Sequence, residues 1–222
     1  MFELITFDLD GTLTDSKEGI TNCIKYALES FGIVDFDQNL LLKSIGPPLY
    51  DAFHNIFGFP HDDALLAVKK YRERFSDVGI YENTVFPDAE ETLKRFKNAG
   101  IRLAVATSKP HIYTERILKH FGLYDYFDYI VGAEFDGSFG SKEDVIGEVL
   151  RLAESCDLTK TAMVGNRKFD ILGAKKFKIT AVGINSGYAA EGELEASGAD
   201  FIFNNLKEFA DFILSNNSPK NS

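Results

Sequence analysis

Apolar residues along this chain fall into short continuous runs separated by longer stretches whose apolar positions recur about every 3.6 residues. The runs at 4–9, 102–107, 129–132, 161–164, 179–184 and 201–203 predict buried strands. Amphipathic stretches at 89–98, 112–121, 143–153 and 169–177 predict helices between them. The second half therefore alternates strand and helix, the pattern of an α/β doubly wound parallel sheet. In that architecture a functional site sits at the carboxyl ends of the strands.

Residues 16–83 break the pattern, because no convincing strand occurs there. Helices are expected at 18–31, at 40–57 with an interruption at Gly46-Pro47-Pro48, and at 63–77. The expected organisation is an α/β core from residues 1–15 and 84–222 with an inserted α-helical cap at 16–83. A cap placed there could close over a site at the end of the first strand and exclude water. Phe31, Phe53, Phe57 and Phe59 are expected to form the cap's own core.

The most informative stretch follows the first strand: Asp8-Leu9-Asp10-Gly11-Thr12-Leu13-Thr14-Asp15. Residues i and i+2 of an extended chain point the same way, so Asp8 and Asp10 can share one site. Two carboxylates that close repel, and a divalent cation with a preference for oxygen, Mg2+ above all, relieves the repulsion. The pair suits phosphoryl transfer in which Asp8 attacks phosphorus and Asp10 handles the proton. Gly11 would let the backbone approach phosphate oxygens. The competing reading is a strand end running into an ordinary Asp/Gly turn.

The full string D-x-D-G-T-L-x-D after an N-terminal apolar strand resembles the first motif of the haloacid dehalogenase-like phosphatase superfamily, and in particular its phosphoglycolate phosphatase-like and bacterial 5′-nucleotidase-like members. Further elements continue the resemblance in order. Thr107-Ser108-Lys109-Pro110 ends a strand before a helix; its hydroxyls can cap that helix, and the resemblance implies that Thr107, with Ser108 beside it, binds phosphate. Lys142 follows Ser141, which with Asp144 forms a capping-box-like pair. A lysine in the first helical turn opposes the helix dipole, and pairing with Asp8 and a phosphate would explain it; a solvent-exposed turn lysine is the alternative.

The last element is Gly165-Asn166-Arg167-Lys168-Phe169-Asp170, where the family usually shows G-D-x-x-x-D. The resemblance implies metal binding by Asp8, Asp10, position 166 and Asp170. Asn166 offers a carbonyl oxygen but no negative charge. A G-x-P element resembles the family's substrate-facing cap loop, which makes Gly46 and Pro47 candidate substrate contacts; a rigid helix-breaking turn is the simpler account. The resemblance extends to Gly187-Tyr188 and to residues 197–200.

Composition narrows the partners. A net charge of −10 over 222 residues argues against a general nucleic-acid binder. A small phosphorylated metabolite remains suitable if metal, lysine and helix N-termini supply local positive charge. No apolar stretch approaches membrane-spanning length and no basic-then-apolar leader precedes the first strand, so the expectation is a cytoplasmic protein without a membrane or obligate protein partner. Cys23 and Cys156 lack metal-ligand spacing and are expected to be buried thiols. His54, His61, His111 and His120 show no metal-site pattern, and His111 alone adjoins a candidate site element.

The expected activity is Mg2+-dependent hydrolysis of a small phosphomonoester, of the phosphoglycolate or nucleoside monophosphate class, through an aspartyl-phosphate. The alternatives are a weakly active or inactive phosphometabolite-binding protein, a sugar phosphomutase and a metal-independent dehalogenase.

Overall fold

The computed structural model describes residues 2–154, 156–186 and 188–215, so Gly187 lies outside the described residues. Strand β1 (Leu4–Phe7) is buried at all four positions, as a central strand covered on both faces must be. After it come the short β2 (Thr14–Asp15) and helices α1 (Lys17–Glu29), α2 (Gln38–Lys43) and α3 (Leu49–Asp51), which runs into a wider turn at Ala52–Ile56. Helix α4 (His61–Arg74) continues in the same way through Phe75–Gly79, and β3 (Thr84–Val85) returns the chain to the core. The remainder is α5 (Ala89–Asn98), β4 (Arg102–Pro110), α6 (His111–His120), β5 (Tyr129–Ala133), α7 (Lys142–Leu152), β6 (Thr161–Gly165), α8 (Lys168–Lys176), β7 (Thr180–Ile184), α9 (Glu193–Ala196), β8 (Phe201–Phe203) and α10 (Leu206–Ser215).

Six strands form one sheet in the order β5-β4-β1-β6-β7-β8, parallel throughout. The expected α/β fold is the fold observed. From β1 the chain builds outward through β4 and β5, then crosses back to β6 on the other side. The order thus reverses at β1, and the carboxyl ends of β4, β1 and β6 open on the resulting crevice. Alternate residues feed opposite layers: Ile5, Phe7, Leu103 and Val105 join one apolar cluster, while Leu4, Ala104, Ala106 and Met163 join the other.

The helical insert forms because α1 carries Ile20, Cys23, Ile24, Ala27 and Leu28 on one buried stripe. The four expected phenylalanines cluster, with ring centroids of Phe31 and Phe59 at 4.9 Å and of Phe53 with Phe57 and Phe59 at 6.0 Å. The stretch expected at 40–57 is interrupted where expected, at Gly46-Pro47-Pro48, between α2 and the continuous turns of Leu49–Asp51 and Ala52–Ile56. Ser44 Oγ donates back to the Leu40 carbonyl at the end of α2, Gly46 takes φ +110°, and helix resumes only after Pro48.

Two features were unexpected. The antiparallel ribbon β2–β3 pairs Thr14 with Val85 and Asp15 with Thr84, and carries both chain crossings between sheet and insert. Two-residue strands leave no periodic signal. Helix α10 does leave one, through buried Leu206, Phe209, Ala210 and Ile213, and Phe209 packs edge-on against Phe96 at 5.4 Å. Cys23 is buried as expected, whereas Cys156 is only partly so, and both are free thiols. Among the described residues no helix is long and apolar enough to cross a membrane.

Helix α1 approaches the end of the insert so closely at Gly19 that a Cβ there would lie 2.1 Å from the Gly79 carbonyl oxygen and 2.8 Å from that of Glu82. Both neighbours are backbone and cannot step aside. Gly19→Ala is expected to lose about 1–3 kcal/mol or more in urea unfolding, because overpacking forces backbone shifts; an unchanged midpoint would show that the two segments are free to separate.

Candidate active site

Three strand ends and one helix start build the site. At the end of β1, Asp8 stays in register by donating its N–H to the Val164 carbonyl at 2.9 Å. The chain then turns over the Leu9 carbonyl, which receives the N–H groups of Thr12, Leu13 and Thr14 at 3.2, 3.0 and 3.1 Å. Gly11 makes the turn possible: its φ is +83°, and a Cβ would stand 2.2 Å from Asn166 Nδ2 and 2.4 Å from Tyr188 Cδ2. Ser186 Oγ donates to the Gly11 carbonyl at 2.5 Å, pinning the turn from the β7 side.

Lys142 is buried at the start of α7, which Ser141 and Asp144 close with the expected reciprocal capping box. Its ammonium donates to Asp8 Oδ1 at 2.6 Å and to the Ala106 carbonyl at 3.2 Å. It also stands 2.9 Å from Asp170 Oδ1, an ion pair without hydrogen-bond alignment. Burial alone would lower the lysine's pKa, but Asp170 and Asp8 outweigh it and hold the group above the ordinary lysine range. Burial raises Asp8 to about 6, with Lys142 pulling it back and Asp170 and Asp10 adding to the rise. The lysine is therefore no exposed turn residue.

Asp170 accepts the Arg167 N–H through Oδ2 at 3.0 Å, and its carboxyl packs where a Cβ on residue 165 would lie, only 2.1 Å from Asp170 Cγ. Gly165 is thus required by contact with the acid. Asn166 is fully buried; its Oδ1 receives Thr12 Oγ1 at 3.4 Å and its Nδ2 has no partner among the described residues. Asp10 keeps Oδ1 buried without a hydrogen-bond partner, while Oδ2 lies 2.9 Å from Lys109 Nζ.

Lys109 was not anticipated as a site residue. Strand β4 runs on to Pro110 rather than ending at Thr107, with its pairing to β5 irregular between Thr107 and Pro110, and both Thr107 and Lys109 are buried there. The available signal was the lysine's place within the Thr107–Pro110 element. The lysine is buried, and its ammonium sits 4.5 Å above the Phe75 ring of the insert. The helix-capping expectation fails here: α6 begins after Pro110 without a side-chain cap, and Thr107 Oγ1 instead accepts the Lys109 N–H at 3.3 Å. The extension of the strand carries the hydroxyl away from the helix start.

These groups floor a cavity of about 820 Å³, whose walls include Asp8, Asp10, Thr107, Ser108, Lys142 and Asp170 from the sheet side and Gly46, Pro47, Tyr50, Tyr71 and Phe75 from the insert. Gly11 and Asn166 stand behind this wall rather than on it. His111 is half-exposed beside Glu115 at 3.6 Å and is not part of the lining, whereas His61 is, with Nδ1 2.8 Å from the Tyr50 hydroxyl. Hard oxygen donors for a cation are available on Asp8, Asp10, Asn166 and Asp170. Asp170 Oδ1 already faces the Lys142 ammonium at 2.9 Å, so the fit to a hard dication rests on the donor set itself, three carboxyl groups and an amide oxygen gathered against two ammonium groups. Among the described residues no three acidic, thiol or imidazole side chains form a ready cage, in keeping with an amide at position 166.

The family model for haloacid dehalogenase-like hydrolases matches residues 5–184, a span that includes every residue lining the cavity. The chain belongs to the haloacid dehalogenase-like hydrolase family. It is 41% identical over 192 residues to a 5′-nucleotidase of Pseudomonas aeruginosa, covering 86% of each chain. It is 37% identical over 187 residues to the tyrosine-protein kinase PtkA of Mycobacterium tuberculosis, covering 84% of this chain and 63% of that protein. A crystal structure of a predicted phosphatase from Clostridium acetobutylicum superposes with a TM-score of 0.92 at 39% identity, covering 97% of this chain and 99% of the other. The expectation of a haloacid dehalogenase-like hydrolase of the phosphatase type stands.

The two carboxylates that face Lys142 set a test of the site's electrostatics. Lys142→Met is expected to cost about 3–5 kcal/mol at neutral pH, the usual consequence of stranding buried charge. The loss should shrink at pH 5, where one of the apposed carboxyls can take up a proton, since proton uptake by the folded state stabilises it. Urea titrations at both pH values check this, and equal losses would mean that Asp8 and Asp170 are not coupled through the lysine.

Proposed function

We propose that this chain hydrolyses a small phosphomonoester, of the nucleoside monophosphate or phosphoglycolate class, in the cytoplasm and through an aspartyl-phosphate on Asp8. The observation that carries the reading is the pair Asp8 and Asp10 on the cavity floor, each with a different buried ammonium against it: Lys142 at 2.6 Å and Lys109 at 2.9 Å. One carboxylate can then serve as nucleophile and the other as proton carrier without mutual repulsion deciding their states.

In the first step an Asp8 oxygen attacks phosphorus and the bond to the leaving oxygen breaks. Asp10, protonated on Oδ1, gives that proton to the leaving oxygen; Oδ1 is the oxygen Lys109 does not hold. Asp10, now a carboxylate, takes a proton from water as the water oxygen attacks phosphorus. The acyl-phosphate P–O bond breaks and Asp8 is regenerated. Thr107, Ser108 and Lys142 orient the phosphate, and Gly46 and Pro47 face the leaving group; the Gly11 N–H, expected on the phosphate, is instead donated to the Thr14 carbonyl at 2.7 Å. Asp8, the Asp10 carbonyl, Asn166 and Asp170 would hold Mg2+. When bound, the ion neutralises phosphate charge and that of the acids around it.

One specific feature favours a second reading, a phosphometabolite-binding protein with little turnover. It is Asn166, which leaves the cation site one acid short. Phosphate release from a panel of nucleoside monophosphates, phosphoglycolate and sugar phosphates, with and without Mg2+, separates the two; return of phosphoryl to a sugar would point instead to a mutase. Asp8→Asn is expected to lower release on the order of a thousandfold or more, as removal of a nucleophile does. Asn166→Asp is expected to tighten Mg2+ binding on the order of 10–100-fold, a size typical of changes around a metal site. Calorimetry and the Mg2+ dependence of the rate measure it, and no change in either would place Asn166 outside the metal's surroundings.

A further inference from the structure

Arg167 follows Asn166 directly, and its buried guanidinium leaves the catalytic loop and crosses to the insert. Nη1 donates to the Ile45 carbonyl, the residue before Gly46, while Nε pairs with Glu193 Oε1 at 2.9 Å. Glu193 is itself held by the backbone, with Oε1 receiving the Lys168 N–H at 2.9 Å and Oε2 the Ala190 N–H at 3.3 Å. The arginine is therefore aimed from a fixed point. On the insert side the fit depends on a missing side chain: Gly46 takes φ +110°, and a Cβ there would stand 3.1 Å from Nη1 and 3.3 Å from Cγ.

The insert is tied to the core elsewhere by similar bonds. Arg72 donates to the Phe135 carbonyl at 2.8 Å and Arg116 to the Ser76 carbonyl at 2.9 Å. Arg167 differs from both in what its backbone does, since its own N–H binds Asp170 Oδ2 at 3.0 Å. One residue thus joins the acid that faces Lys142 to the loop that walls the cavity at Gly46 and Pro47. A simple ion pair with Glu193 would need no Ile45 carbonyl and no glycine at 46.

We propose that Arg167 is a latch between core and cap, a positioning residue that seats the Gly46–Pro47 loop over the cavity and so fixes where the leaving group lies. Its role in turnover rests on the phosphatase reading, whereas the latch itself does not. A charged donor on a backbone carbonyl in a water-poor interface is among the stronger single bonds in a protein. Losing it frees the loop and lets water reach the cavity from that side.

The test uses the full chain with Arg167→Met, Arg167→Lys and Gly46→Ala. Hydrogen exchange in peptides spanning 44–52 is expected to quicken roughly tenfold or more in Arg167→Met, the scale of one lost charge-assisted bond, with residues 161–165 unchanged. Gly46→Ala should give the same local pattern while leaving every charge in place. Arg167→Lys should recover part of the protection, because lysine keeps the charge but not the two-directional fork. In the kinetic arm, KM for adenosine 5′-monophosphate should rise more than KM for acetyl phosphate, whose leaving group is too small to reach the loop. Exchange unchanged at 44–52, or raised equally at 161–165, would overturn the latch; an equal KM change for both substrates would overturn its positioning role. Should the wild-type protein release phosphate from neither of these nor from any member of the panel, the phosphatase reading fails and the exchange arm alone decides the latch.

Discussion

A lysine ammonium buried between two aspartates is the constraint on which the rest of this site depends. Lys142 cannot be solvated where it lies, so it must be satisfied by Asp8, Asp170 and the Ala106 carbonyl. Those partners come from the end of β1, the middle of β4 and the start of α8, while the lysine comes from the start of α7. The ion cluster therefore fixes four elements of the fold relative to one another. The glycines around it follow from the same demand: Gly165 leaves room for the Asp170 carboxyl, and Gly11 leaves room for Asn166 and Tyr188. Such a cluster is a poor source of net stability, since its desolvation offsets much of its attraction. Its retention is better explained by what it holds in place.

The charge balance also bears on the cation. Three carboxylates, Asp8, Asp10 and Asp170, face two ammonium groups, Lys109 and Lys142. With all three acids ionised one negative charge remains uncompensated, where an acid at 166 would leave two. A hard dication is attracted by that excess, so the amide weakens its hold without removing the oxygen donors. The insert side is mixed, with Tyr50, Tyr71 and Phe75 lining the cavity beside Asp51, His61, Lys69 and Arg72.

The legible parts of the chain were those with local signals. Strand residues 201–203 and helix residues 89–98 coincide with β8 and α5, and the other expected core elements shift by one or two residues at their ends, except β4, which runs three residues further to Pro110, because buried runs and amphipathic stripes are written in consecutive positions. Asp8, Asp10, Thr107, Ser108, Lys142 and Asp170 were singled out from local motifs near strand ends and helix starts, and the fold brings all six to one cavity. The less legible parts were those set by distant partners. Lys109 belongs to the site only because β4 runs on past Thr107 and the insert brings Phe75 over it. The ribbon of Thr14–Asp15 with Thr84–Val85 is two residues long and depends wholly on its partner strand.

By itself the sequence determined the family and the α/β alternation, and it pointed to helices between residues 16 and 83 and to acids just after the strands β1 and β6. These are properties of residue type and local spacing, which survive without knowledge of contacts. Tertiary structure alone decided which ammonium meets which carboxylate, that Asn166 stands behind the cavity wall, and that Arg167 reaches across to Ile45. Those facts depend on side chains separated by tens to more than a hundred residues, and only folding brings them within hydrogen-bonding distance.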